Sequence, residues 1–78
     1  MHLLRLPEVQ ARTGLGRSSI YQRQRDGLFP PSVSIGARMA AWPDHEIDAI
    51  NKAHIAGQTD DEIRALVARI VAARKEAA

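Results

Sequence analysis

The chain has 78 residues, 45% of them hydrophobic and 26% charged, with no cysteine and a formal charge of +2. A chain this short is one small domain that buries only roughly 60% of its unfolded surface, which leaves no room for an enclosed active site beside the core. Lack of cysteine excludes disulfides and thiolate metal sites, and no apolar run approaches the ~18 residues of a membrane span. With no charged-then-apolar leader pattern either, the expectation is a soluble, cytoplasmic protein without cofactors.

Taken in order, residues 1–5 form a lead-in whose Leu3 and Leu4 either close the core or pair as a short extended segment. A first helix is predicted over residues 7–13. Pro7 suits its first turn, Glu8 favours its dipole, and Leu6, Val9, Ala11 and Leu15 supply its apolar face. Gly14 is a left-handed stop. After a very short link, a second helix is predicted over residues 17–26, with Gly16 as its cap and Gly27 as its end. Two short helices around a glycine-containing turn make a helix-turn-helix corner.

The second helix is organised differently from the first. Ile20 points one way, while Ser18, Tyr21, Gln22 and Arg25 point broadly the other. So little apolar surface rules out a mainly structural role. Its side chains are those that bind phosphates and base edges. Arg23 lies nearer the core side and is expected to snorkel outward.

Phe29-Pro30-Pro31 forces an extended exit. Two short strands follow, over residues 32–35 and 38–42 around a Gly36-Ala37 turn, with Val33 and Ile35 alternating with serines. A two-stranded ribbon is not stable alone, so it must lean on the helices through Val33, Ile35 and Trp42. Its free face and tip would then stand as a wing beside the second helix, presenting Ser34 and Arg38. A third helix runs from residue 43 or 44 to 56, with Ile47, Ile50 and Ala53 or His54 on one face and Trp42 placed to staple onto Ile47. The fourth opens with a capping box, Thr59-Asp60-Asp61-Glu62. It carries Ile63, Leu66, Val67, Ile70 and Val71 as one stripe. That stripe either folds back over the domain or meets the same stripe in a second chain.

Charge is split along the chain. Residues 1–42 hold six arginines against Glu8 and Asp26, a balance of +4, and residues 43–78 carry −2. The basic half is the candidate surface for a polyanion, and arginine suits bidentate contacts to phosphate and guanine. Catalysis has no comparable support. His2, His45 and His54 lack metal-ligand spacing, Asp44-His45-Glu46 and Asp60-Asp61 read as helix-dipole and capping residues, and Ser18 and Ser19 have no partner base in sequence. No glycine loop cradles a phosphate. The chain is therefore read as a non-enzyme with no small-molecule ligand.

Several motifs occur in a particular order: Leu4-Arg5-Leu6-Pro7-Glu8-Val9, Thr13 to Tyr21, Gly27-Leu28-Phe29-Pro30, Val33 to Arg38, and Trp42 followed by Glu46-Ile47-Asp48-Ala49. In this, roughly residues 4–56 resemble the AlpA family of phage-type transcriptional regulators, which are similar in fold to excisionases and the DNA-binding part of MerR-type regulators. The resemblance implies a mainly α fold with a small two-stranded β wing, a winged helix-turn-helix over residues 1–57. Residues 58–78 would add a C-terminal amphipathic helix. It implies a prophage or mobile-element protein that binds double-stranded DNA, as a regulator or as an excisionase. Recognition-helix contacts carry over onto Arg17, Ser18, Tyr21 and Gln22, and the basic wing residue onto Arg38. Arg25 joins them on its chemistry, since it can reach a guanine edge. The chain departs from the family at Gly16, where serine is usual, and at Gln24, where an apolar residue is usual. A homodimer through the last helix, or another partner docked there, is the alternative use of that segment.

Overall fold

The computed structural model describes residues 2–76. In chain order the elements are β1 (Leu3–Leu4), α1 (Leu6–Thr13), α2 (Arg17–Arg25), β2 (Val33–Gly36), β3 (Met39–Pro43), α3 (Asp44–Ile55) and α4 (Asp60–Glu76). The architecture is mainly helical with a small antiparallel sheet, as expected for a winged helix-turn-helix with a further helix behind it.

Capping chemistry sets the boundaries. The Glu8 carboxylate accepts the Arg5 N–H at 3.1 Å and closes the first turn of α1. Gly14 ends that helix at φ 73°, and its N–H reaches the Gln10 carbonyl at 2.8 Å. Thr13 Oγ1 donates to the Val9 carbonyl and accepts from the Leu15 N–H, which fixes the tight link into α2. The capping box of α4 forms in both directions. Thr59 N–H donates to Glu62 Oε1 at 2.9 Å, and Glu62 N–H donates to Thr59 Oγ1 at 3.2 Å.

The wing is larger than its sequence pattern suggested. The sheet has three strands in the order β1-β3-β2. Leu3 pairs with Pro43 and Leu4 with Trp42, and the Asp44 N–H extends the ladder to the His2 carbonyl at 2.8 Å. The lead-in thus both pairs and closes the core, since Leu4 is fully buried. The hairpin turn lies one residue later than expected, at Ala37-Arg38, because Gly36 still pairs with Met39. A bulge between Ser34 and Gly36 breaks the alternation. Ile35, inside that bulge, stays 41% exposed, while Val33 is half-buried. The core face of the sheet comes instead from Trp42 of β3 and its partner Leu4, while Ala41, also buried, points to the other face with its partner Val33.

Trp42 is the centre of the core. Its indole N–H donates to the Pro30 carbonyl at 3.0 Å, and its ring meets Phe29 edge-on, with centroids 6.5 Å apart. Around it lie Leu4, Val9, Ile20, Ile47, Ile50, Ala53, Ile63 and Val67, so that β1, β3 and every helix contribute. Within one chain the α4 stripe folds back. Ile63 and Val67 are buried, and Leu66, Ile70 and Val71 are half-buried.

Polar contacts over long sequence separations complete the frame. Glu46 on α3 is only 2% exposed, and Arg74 of α4 donates to it through Nε at 2.8 Å and through Nη2. The same guanidinium reaches the Pro31 carbonyl at 2.8 Å. Glu46 is therefore the buried half of an ion pair, not only dipole-favoured polarity at a helix start. Asn51 of α3 donates to the Arg12 carbonyl at the end of α1. Among the described residues, no buried side-chain polar atom lacks a hydrogen-bond partner.

Candidate nucleic-acid interface

Helix α2 is nine residues long and buries only Ile20. Three polar links hold it in place of an apolar stripe. Gln24, at the position where the family has an apolar residue, accepts the Ser32 N–H through Oε1 at 2.9 Å and ties the helix to the entry of the wing. The Leu28 N–H turns back to the Arg23 carbonyl at 2.8 Å, behind Gly27 at φ 76°. Arg64 of α4 donates through Nε to the Asp26 carbonyl at 3.0 Å, covering one of the carbonyls that the helix end leaves unpaired.

The outward face carries the residues singled out from sequence. Arg17, Ser18, Gln22 and Arg25 are exposed, and Tyr21 is half-buried. The Arg17 guanidinium sits 5.9 Å from the centre of the Tyr21 ring, which orients both side chains. Arg25 Nη2 donates to Gln22 Oε1 at 2.7 Å, and Gln22 Nε2 donates to the Asp26 carboxylate at 3.2 and 3.3 Å. At the cap of the helix, Gly16 offers no side chain to its first N–H groups. Arg38 stands at the hairpin tip with φ 58°, a left-handed backbone conformation that costs a side-chain-bearing residue about 1–2 kcal/mol.

The six arginines of the basic half fall into two groups. Arg12 pairs with Asp48 at 3.3 Å, Arg5 donates to the Ala40 carbonyl at 3.1 Å, and half-buried Arg23 places Nη1 3.5 Å from His54 Nε2. These three serve the fold. Arg17, Arg25 and Arg38 have no carboxylate within ion-pair distance among the described residues. Arg5 and Arg12 are thus both held by contacts within the protein. Asp26 is the residue that sequence reading passed over. Its spacing of four from Gln22 carried the signal, since residues four apart meet on a helix surface.

The remaining polar chemistry is structural. The carboxyl of Asp44 is held below its ordinary range by hydrogen bonds from the backbone N–H groups of His2 and His45, and that of Glu62 by the Thr59 N–H and hydroxyl. Neither lies on α2. An apolar groove of about 440 Å³ runs between Leu3, Val33, Ile35, Pro43, Ala49 and Ile70. Its charged lining residues include Glu46 and Arg74, which hold each other. No group of three or more metal-ligating side chains occurs among the described residues. Nor is any helix among them long and apolar enough to cross a membrane.

Residues 2–51 match the family model described as prophage CP4-57 regulatory protein (AlpA), a span from β1 through most of α3 that leaves α4 outside. Over 55 residues the chain is 47% identical to ORF88, an uncharacterised protein of Enterobacteria phage P4. The match covers 70% of this chain and 62% of that relative. No solved structure matches the chain with significance. On the family match and the phage relative together, the chain belongs to the AlpA family of prophage regulatory proteins.

Proposed function

We propose that the protein is a sequence-specific, double-stranded-DNA-binding transcriptional regulator of phage or mobile-element origin. The observation that carries this reading is the division of α2. It buries one side chain, Ile20, and presents Arg17, Ser18, Tyr21, Gln22 and Arg25 on a face organised by hydrogen bonds and a cation–π contact. Helix α2 enters the major groove. Arg17 and the uncapped helix N-terminus anchor phosphates, and Gln22 and Arg25 meet base edges. Tyr21 offers a hydroxyl to a phosphate or a ring to a thymine methyl. Arg38 reaches flanking backbone or the neighbouring minor groove from the wing tip. No cofactor or small-molecule ligand takes part, and the setting is the cytoplasm.

A second reading keeps the same DNA interface but makes the protein an excisionase-type architectural factor that bends DNA. A reporter fusion set beside an excision assay separates the two. Docking of a second chain or another protein on α4 has less surface to use, because Ile63 and Val67 are occupied inside the chain.

Selection of bound duplexes from a randomised library tests the shared interface. The expected result is an enriched site whose recovery by Gln22→Ala loses preference at one base position. Arg17→Ala should weaken all duplexes alike. Failure to retain any duplex at low salt overturns the proposal.

A further inference from the structure

We propose that Asp26 is a positioning residue that, together with Arg25, locks the Gln22 amide in the orientation that reads adenine. This inference rests on the DNA-binding role of α2 and specifies what that helix reads.

The argument starts from the valence of a carboxamide. Gln22 has two acceptor lone pairs on Oε1 and two N–H donors on Nε2. Arg25 Nη2 fills one lone pair at 2.7 Å, and the Asp26 carboxylate takes one N–H, at 3.2 Å from Oδ2 and 3.3 Å from Oδ1. One acceptor site and one donor remain on an exposed side chain. Adenine presents N6–H as donor and N7 as acceptor in the major groove, the complement of that pair.

The two neighbours also forbid the alternative orientation. A flip of the amide would turn Nε2 toward the Arg25 guanidinium, donor against donor, and Oε1 toward the Asp26 carboxylate, acceptor against acceptor. An unrestrained glutamine could turn its N–H groups onto the N7 and O6 acceptors of guanine. The locked one would set Oε1 against O6. The lock therefore favours adenine and rejects guanine. Its cost is a negative charge on an otherwise basic face, where it opposes phosphate at every sequence.

The backbone of Asp26 is held independently of its side chain. Its N–H bonds to the Gln22 carbonyl at 3.1 Å, and its own carbonyl accepts from Arg64. Substitution of the exposed side chain therefore leaves the helix end intact.

The test measures affinity for the selected duplex and for the same duplex with guanine in place of the adenine that Gln22 reads. Wild type should prefer adenine by roughly 10-fold, within the range of one good bidentate contact. Asp26→Ala should bring that ratio toward the Gln22→Ala value while raising affinity for random duplex. Asp26→Asn loses the charge and keeps an acceptor. It should raise random-duplex affinity equally and retain the ratio. A ratio unchanged in Asp26→Ala, or lost equally in Asp26→Asn, overturns the positioning role. A selected site with no adenine dependent on Gln22 overturns this inference alone, whereas absence of all duplex binding overturns the DNA-binding role beneath it.

Discussion

Helices α2 and α4 solve opposite problems. Helix α2 contributes one side chain to the core and turns the rest outward. Helix α4 buries Ile63 and Val67, lays three further apolar side chains against the domain, and reaches out with two arginines to hold other elements. One of those arginines, Arg64, braces the end of α2 itself. A domain of this size has about 5–15 kcal/mol of stability at most, and a helix that keeps its polar face free for a ligand adds little to it. The family model ends at residue 51, so α4 lies outside the matched span, and it supplies burial and bracing that α2 does not.

The comparison breaks most visibly at α4. Arg74→Ala leaves the carboxylate of Glu46, 2% exposed, without its partner, and should cost about 3–5 kcal/mol in urea or thermal unfolding. The paired replacement Arg74→Met with Glu46→Leu should recover most of that loss. If Arg74→Ala alone is neutral, α4 does not brace the domain in solution.

Next in size is the single apolar anchor of α2. Ile20→Ala should cost about 2–4 kcal/mol, because nothing else on that helix is fully buried. An effect well under 1 kcal/mol would mean that Gln24, Gly27 and Arg64 hold the helix without it.

A smaller effect sharpens the comparison by giving stability and binding opposite signs. Arg38 occupies a left-handed conformation at the wing tip, so Arg38→Gly removes that strain and should leave stability unchanged or raise it by up to about 1 kcal/mol. The same substitution should weaken duplex binding. A loss of both would assign Arg38 to the fold and not to the interface.

The smallest effect concerns the start of α4. The Glu62 carboxyl has a folded-state pKa below the ordinary 4.5, through its hydrogen bonds with Thr59. A lowered carboxylate pKa contributes stability that is present above the unfolded value and lost as pH falls through the folded one. Unfolding measured through the acid range should therefore show Glu62→Gln converging on wild type below about pH 4.5. A constant difference at all pH values would contradict it.

Much of this frame was legible in sequence, because local chemistry dictated it. Gly14 and Gly27 stop their helices, and Thr59 and Glu62 start another, through contacts within four residues. The outward face of α2 followed from its periodicity, and all five chosen side chains share it with varied exposure. What escaped depends on distant partners. Nothing near Glu46 in sequence announces Arg74, and nothing near Leu4 announces its pairing with Trp42. Gln24 looked like a defect in an apolar stripe and is a bond to Ser32. Ile35 looked like a residue packed on the helices, but it lies within a bulge and stays 41% exposed. Asp26 was within reach, since its spacing from Gln22 is helical, but its significance lies in the amide it orients.

The most direct test of the division between α2 and α4 is the salt dependence of duplex binding. Affinity of the full chain for a short random-sequence duplex should fall linearly on logarithmic axes as salt rises, through counterion release. Arg17→Ala should reduce that slope by about one, while Arg69→Ala, on the exposed face of α4, should leave it unchanged. No duplex binding at low salt, or an equal reduction of slope by both substitutions, would contradict the assignment of α2 as the DNA-reading helix.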